Sequence, residues 1–268
     1  KWGYRLFCNV VAGGFKGPLY LVNAKGEPIA GRQTYRSVAE IPGPVDLGVV
    51  TIPAARVREL IPQFQAKRIR SMLLITSGFA ETGAEGRRLE EELVREARAA
   101  GILILGPNTM GICNPHESLF CCGSNVRPKP GTTTIVSQSG NLGVQLLGFA
   151  EHEGVGIRAF SGSGNEAMIT IEDYMEAFEV DGLTQTVVLY LESIKNGRRF
   201  FESARRVGKK KPVVMLKGGR TRAGNRAAAS HTGALASNTR VFDAAARQAG
   251  VVVVEQPMDL LDLSAAFS

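Results

Sequence analysis

The stretch AAASHTGALAS, residues 227–237, sets His231 among side chains too small to crowd it. The chain has only three histidines, so a nitrogen base in so open a setting reads as one that a bulky group must reach. The surrounding loop, KGGRTRAGNRAAASHTG (217–233), carries Lys217, Arg220, Arg222 and Arg226. Cationic, glycine-rich loops of this kind cover anions. Upstream, TVVLYLES (186–193) reads as a buried parallel strand with Glu192 at its carboxyl end. A carboxylate there can hold the N–H of an imidazole, fixing its tautomer and making the other nitrogen more basic. An ion pair with Arg198 or Arg199 is the plainer alternative. In VSQSGNLGVQL (136–146), Ser139, Gly140 and Asn141 fall where a strand gives way to a helix. The free N–H groups and positive dipole end of such a helix suit a phosphoryl group, although an ordinary serine N-cap would use the same residues.

These residues need elements to position them, and the sequence alternates short β-rich runs with helical patterns throughout. In the first half the expected strands are 18–23, 45–52, 72–77 and 102–106, with helices at about 54–67 and 84–100 between them. SNVRPKPG (124–131) interrupts the alternation with prolines, glycine and charge, as an interdomain linker would. Strands are then expected at 132–137, 157–163, 186–193, 212–218 and 251–254, with helices over 141–153, 170–179, 198–208 and 234–249. This predicts an α/β protein of two doubly wound parallel-sheet units, residues 1–123 and 131–268, with ligands held by loops at the carboxyl ends of strands. The chain opens in a helical pattern without the strand and glycine-rich turn that normally begin a Rossmann-like unit, so the first unit is expected to be incomplete.

A NAD-binding fold carries an acidic residue after its second strand to accept bonds from the ribose. Here LVNAKGEP places Asn23 and Lys25 instead, which favours a phosphorylated ribose such as that of NADP or coenzyme A; a surface lysine in a turn is the alternative. TSGFAETG (76–83) and GPNTMG (106–111) complete one rim, where Ser77, Gly78 and Asn108 can bring backbone close to a ligand.

Composition excludes several classes. A net charge of +7 favours anionic partners, but the arginines alternate with glutamates along helices such as EGRRLEEELVREAR, the pattern of a solvated face. With 7% aromatic residues and no basic cluster interleaved with them, a nucleic-acid groove is not expected. No apolar run reaches bilayer length and no signal peptide is seen, so a soluble, cytoplasmic protein without a membrane partner is expected. Cys8, Cys113, Cys121 and Cys122 lack zinc-ligand spacing; they read as inert thiols in a reducing compartment, and no metal site is expected on this chain. His116 and His152 sit in polar loop or helix-end settings and read as surface residues.

Taken in order, NAKG, SGFAE, GPNTMG, VSQSGNLG, SGSGNE, YLES and AAASHTGALAS resemble the α part of NDP-forming acyl-CoA synthetases, including ADP-forming acetate–CoA ligases, and more distantly the α subunit of succinyl-CoA synthetase. The resemblance spans essentially the whole chain. It implies a truncated Rossmann-like CoA-binding domain followed by a flavodoxin-like domain. It further implies that His231 is phosphorylated in turnover, that Glu192 steadies its ring, and that the phosphoryl group rests at Ser139 and Gly140, with Asn141, Gly164 and Asn165 completing the phosphate-binding set. Coenzyme A would lie near Lys25, Ser77, Gly78 and Asn108. The implied partner is an ATP-grasp β subunit or fused C-terminal region that binds ATP or ADP with Mg²⁺, in an oligomer, and the acid is a small carboxylic acid. Val144 stands where succinyl-CoA synthetases carry a tyrosine, which argues against a succinate pocket. Two alternatives are an acyl-CoA-sensing regulatory domain of a protein acyltransferase, which has no use for His231, and an NADP-dependent oxidoreductase, which lacks acid–base residues for hydride chemistry.

Overall fold

The computed structural model describes residues 1–219 and 239–267. Two sheets organise them. In the first, β1 (Leu47–Val50), β2 (Ser71–Leu74) and β3 (Leu103–Leu105) pair in parallel in that order. Met72, Leu73 and Leu74 in succession are buried, as a parallel strand covered on both faces requires. Crossovers run through α2 (Ile61–Lys67) and α3 (Ala84–Ala99), which turns Leu93 and Ala97 inward and its glutamates and arginines outward.

Two expectations for this unit need correction. PLYLVN (18–23) forms no strand: Val22 makes one isolated bridge to Tyr35 and is largely exposed. The run holds one β-branched residue and opens on a proline with no N–H to donate. The helix expected over 54–67 is α-helical only from Ile61; residues Ala54–Leu60 wind as a 3₁₀ helix, and Pro62 sits in the first turn of α2, where its missing N–H costs nothing.

The second sheet has seven strands, in the order 251–254, 213–217, 186–191, 130–137, 157–162, 111–114 and 119–122. Its parallel strands are β6 (Pro130–Ser137), β7 (Ile157–Gly162), β8 (Thr186–Leu191), β9 (Val213–Lys217) and β10 (Val251–Val254). Taken in chain order these give the flavodoxin-like order 2-1-3-4-5, with its switch point between β6 and β8. Helices α4 (Gly140–His152) and α8 (Pro257–Ala266) cover one face, packing Leu146, Leu147, Leu260 and Leu261 on Ile135, Val188 and Val214. Helices α5 (Ile171–Val180), α6 (Gly197–Val207) and α7 (Thr239–Gln248) cover the other, packing Met175, Phe200, Val207 and Phe242 on Val187, Leu189 and Met215. Each such fully buried side chain contributes about 1.5–3 kcal/mol of transfer free energy.

A hairpin absent from the sequence reading joins the two units. β4 (Gly111–Asn114) and β5 (Leu119–Cys122) pair antiparallel, and β4 also pairs antiparallel with β7 through Ile112 opposite Ser161 and Cys113 opposite Phe160. Helix α1 (Trp2–Gly13) packs on β5, where Asn9 Nδ2 donates to the carbonyls of Cys122 and Ser124, both at 2.8 Å. The last two residues of the expected linker, Pro130 and Gly131, already belong to β6. Cys113, Cys121 and Cys122 are buried, and burial pushes the Cys121 thiol up to about 12.

Candidate functional site

The loops of the first unit meet the carboxyl ends of β6 and β8 around a cavity of about 140 Å³. At the end of β6, Ser139 takes extended backbone and caps α4, its Oγ accepting from Leu142 N at 3.4 Å. The plain capping role and the dipole-bearing helix start thus coincide. A Cβ at Gly140 would fall 2.1 Å from Met110 Cγ of the first unit, so any larger residue there would force the Met110 side chain to shift. Asn141 is exposed one residue further on.

Glu192 follows β8, and two side chains hold its backbone. Its N–H donates to Gln138 Oε1 at 2.6 Å, and its carbonyl accepts from Lys217 Nζ at 2.6 Å. Tyr190, two residues earlier and on the same face of the strand, lies near Glu192; burial first, then the Glu192 charge, pushes the phenol up to about 12. The ion pair weighed for Glu192 does not involve Arg199, which bonds Asp173 at 2.6 Å and Glu176 at 2.6 Å across to α5. Beyond Lys217 and Gly219 the chain enters residues 220–238, so His231, together with Arg220, Arg222 and Arg226, lies outside the described residues.

The loop after β7 brings the two units together. Gly164 adopts φ +63°, and a Cβ there would stand 2.1 Å from the Pro107 carbonyl oxygen, so only glycine fits. Asn165 Nδ2 donates to Glu81 Oε2 at 2.6 Å and Glu90 Oε2 at 2.9 Å, while its Oδ1 accepts from Asn108 Nδ2 at 3.3 Å. Both residues expected to touch phosphate therefore also make the contact between units. Glu81 faces the other way too, accepting from Gly78 N at 2.6 Å, so a ligand seeking that N–H has to displace a carboxylate. Burial raises the Glu81 carboxyl, but the Asn165 amide and the Gly78 and Phe79 N–H groups outweigh it and hold it below its usual range. Ser77 is exposed beside it. Lys25 is exposed in a turn in which its own N–H donates to Asn23 Oδ1 at 3.2 Å, the geometry of an Asx turn.

Several residues here escaped the sequence reading. Glu166, only 2% exposed, follows Asn165 with φ +56°. Its Oε1 accepts from Gln138 Nε2 at 2.9 Å and Ser163 Oγ at 2.8 Å, its Oε2 accepts from Ile171 N at 3.2 Å, and burial raises its carboxyl. Lys195 Nζ donates to the Asn165 and Glu166 carbonyls. For Glu166 and Gln138 the one available signal was their position inside SGSGNE and VSQSGNLG, next to residues already singled out; Lys195 lies in neither motif. His116 and His152 are exposed, bonded to the Gly131 carbonyl at 2.9 Å and to Glu153 at 2.8 Å.

Residues 130–267 match the model of the succinyl-CoA ligase like flavodoxin domain, and residues 1–115 match that of a CoA binding domain. The chain belongs to the family of the succinyl-CoA ligase like flavodoxin domain. It is similar to the α subunit of acetate–CoA ligase (ADP-forming) II from Pyrococcus furiosus, 40% identical over 100% of this chain and 58% of the relative. The acetate–CoA ligase (ADP-forming) of Methanocaldococcus jannaschii is 35% identical over 100% of this chain and 37% of its own length. A solved acetyl-coenzyme A synthetase 1 from Ca. Korarchaeum cryptofilum, in complex with phosphate and ADP, superposes with a TM-score of 0.93 at 35% identity over 100% of this chain and 58% of that one. The chain thus spans little more than half the length of these synthetases at most. Among the described residues no helix is long and apolar enough to cross a membrane.

Proposed function

We propose that the chain is the α part of an NDP-forming acyl-CoA synthetase, interconverting acyl-CoA, ADP and phosphate with a carboxylic acid, CoA and ATP. The observation that carries this is the switch point itself: Glu192 at the end of β8 beside a helix start capped by Ser139 at the end of β6, with β9 leading from the same edge into the segment that bears His231. A phosphate oxygen attacks the thioester carbonyl; the C–S bond breaks, and CoA leaves as a thiolate that takes up a proton. A ring nitrogen of His231 attacks the phosphorus of the acyl phosphate, forming an N–P bond as the carboxylate departs. An oxygen of the ADP β-phosphate then takes the phosphoryl group and frees the imidazole. Glu192 holds the second ring N–H, the α4 N-terminus with Ser139, Gly140 and Asn141 steadies the phosphoryl dianion, and Gly164 and Asn165 flank it. ADP and Mg²⁺ belong to an ATP-grasp β subunit or fused region.

CoA would lie along Lys25, Ser77, Gly78 and Asn108, consistent with the CoA binding domain match over residues 1–115. Lys25→Glu is then expected to weaken CoA binding roughly ten- to a hundredfold, the loss of a charge-assisted contact. Titration calorimetry of the full-length chain tests it; unchanged affinity removes Lys25 from the site. The units 1–123 and 131–268 are proposed to serve CoA and phosphoryl transfer respectively, with the β4–β5 hairpin bridging them.

The central test is labelling. Incubated with acyl-CoA, Mg²⁺ and radioactive phosphate, the protein should acquire label that acid releases and base does not, because protonating the imidazole weakens an N–P bond. Acid-stable label, the mark of phosphoserine at Ser230 or phosphothreonine at Thr232, would falsify the phosphohistidine route.

A further inference from the structure

We propose that Gln138 is a positioning residue for phosphoryl transfer: its side chain locks the backbone at Glu192 to the turn that begins α4 and, through Glu166, to the loop carrying Gly164 and Asn165. This rests on His231 being the phosphoryl acceptor that Glu192 serves.

A glutamine amide has two N–H bonds and an oxygen with two acceptor positions. All four are used. Nε2 donates to Glu166 Oε1 at 2.9 Å and to the Ser193 carbonyl at 2.9 Å. Oε1 accepts from the N–H groups of Glu192 at 2.6 Å and Ser193 at 2.9 Å. The Gln138 N–H also donates to the Tyr190 carbonyl at 3.0 Å, extending the β6–β8 ladder one step past the last strand residue. Rotating this side chain breaks bonds to two loops at once, the one at Glu192 and Ser193 and the one at Glu166.

The partner set explains why glutamine stands here. Two backbone N–H groups demand an acceptor, while a buried carboxylate and a carbonyl demand donors. Lysine and arginine only donate, and an ionised carboxylate only accepts. Glu166 is itself over-determined: a non-glycine residue at φ +56°, held by Gln138, Ser163 and the N-terminus of α5. Through it the loop with Gly164 and Asn165 keeps a fixed distance from Glu192. Group transfer needs that precision, since about 1 Å of misplacement can cost on the order of a hundredfold in rate.

The experiment uses the full-length enzyme with its nucleotide-binding partner or region and compares wild type, Gln138→Ala, Gln138→Glu and the double variant Gln138→Glu/Glu166→Gln. Readouts are the rate of acid-labile labelling, KM for acyl-CoA, and thermal unfolding. Gln138→Ala should slow labelling roughly thirty- to a hundredfold with KM unchanged. Gln138→Glu sets a second carboxylate against Glu166 and should lose more. The double variant should regain at least about tenfold over Gln138→Glu, because a carboxylate at 138 still accepts from both backbone N–H groups and an amide at 166 donates to it. A folded Gln138→Ala labelled at the wild-type rate overturns the proposal, as does a loss that only follows the unfolded fraction. If Gln138→Ala does not fold, the double variant decides: folded but no faster than Gln138→Glu, it also overturns it. A wild type without acid-labile label defeats the phosphohistidine route, an outcome separate from any result on Gln138.

Discussion

With alanine in place of His231, acid-labile labelling and net ligation are expected to vanish together, while CoA still binds. Losing the nucleophile of a covalent route costs roughly 10⁴- to 10⁶-fold, beyond what neighbouring groups can restore. No other histidine is placed to substitute: His116 bonds a carbonyl of β6 and His152 lies at the far end of α4 beside Glu153. Label counts and turnover in the same preparation check this. A variant that keeps label, or keeps turnover without label, removes His231 from the pathway.

Glu192→Gln is expected to slow phosphorylation about ten- to a hundredfold, as losing one charge-assisted bond of about 1.5–3 kcal/mol implies. The amide has the same shape, and the backbone of residue 192 keeps its bonds to Gln138 and Lys217, so folding and CoA affinity should hold. A second readout comes from Tyr190. Its phenol is raised by burial and by the Glu192 charge, so neutralising residue 192 should lower its titration midpoint from about 12. Ultraviolet titration of tyrosinate follows it. Phosphorylation at the wild-type rate, with the phenol unmoved, would show that Glu192 neither steadies the ring nor faces Tyr190.

The second sheet was legible because its central strands are buried on both faces and therefore read as unbroken apolar runs, as TVVLYL and VVMLK do, while VVVV, an edge strand with Val252 exposed, stands out by its β-branched composition. Their boundaries shifted by a residue or two, as helix and strand ends do. GICN and LFCC escaped for the converse reason: four-residue strands with asparagine and cysteine show no period, and only their pairing with each other, and of GICN with β7, makes them strands. PLYLVN erred in the opposite direction, its apolar residues serving a loop.

At the site, Glu192 was legible because a charge ending an apolar strand is conspicuous, and Ser139 because it stands where a helix must be capped. Gln138 and Glu166 carry no such mark. A neutral amide and a carboxylate in glycine- and serine-rich turns match many surface loops, and their meaning lies in partners 28 and 55 positions away in sequence. The double duty of Asn165, which separates Glu81 from Glu90 across the boundary between units, was likewise invisible without the fold.

The β4–β5 hairpin bears on how the chain comes off the ribosome. Without β4, the margin of β7 would present a row of unpaired amides and carbonyls beside buried apolar side chains, a template for another strand. A polypeptide made from its amino end has α1, β4 and β5 in hand before β7 emerges. The later unit therefore inherits its shield from the earlier one, and a version of it cut at residue 130 would be born with that flank bare. The guard is synthesised before the strand it protects.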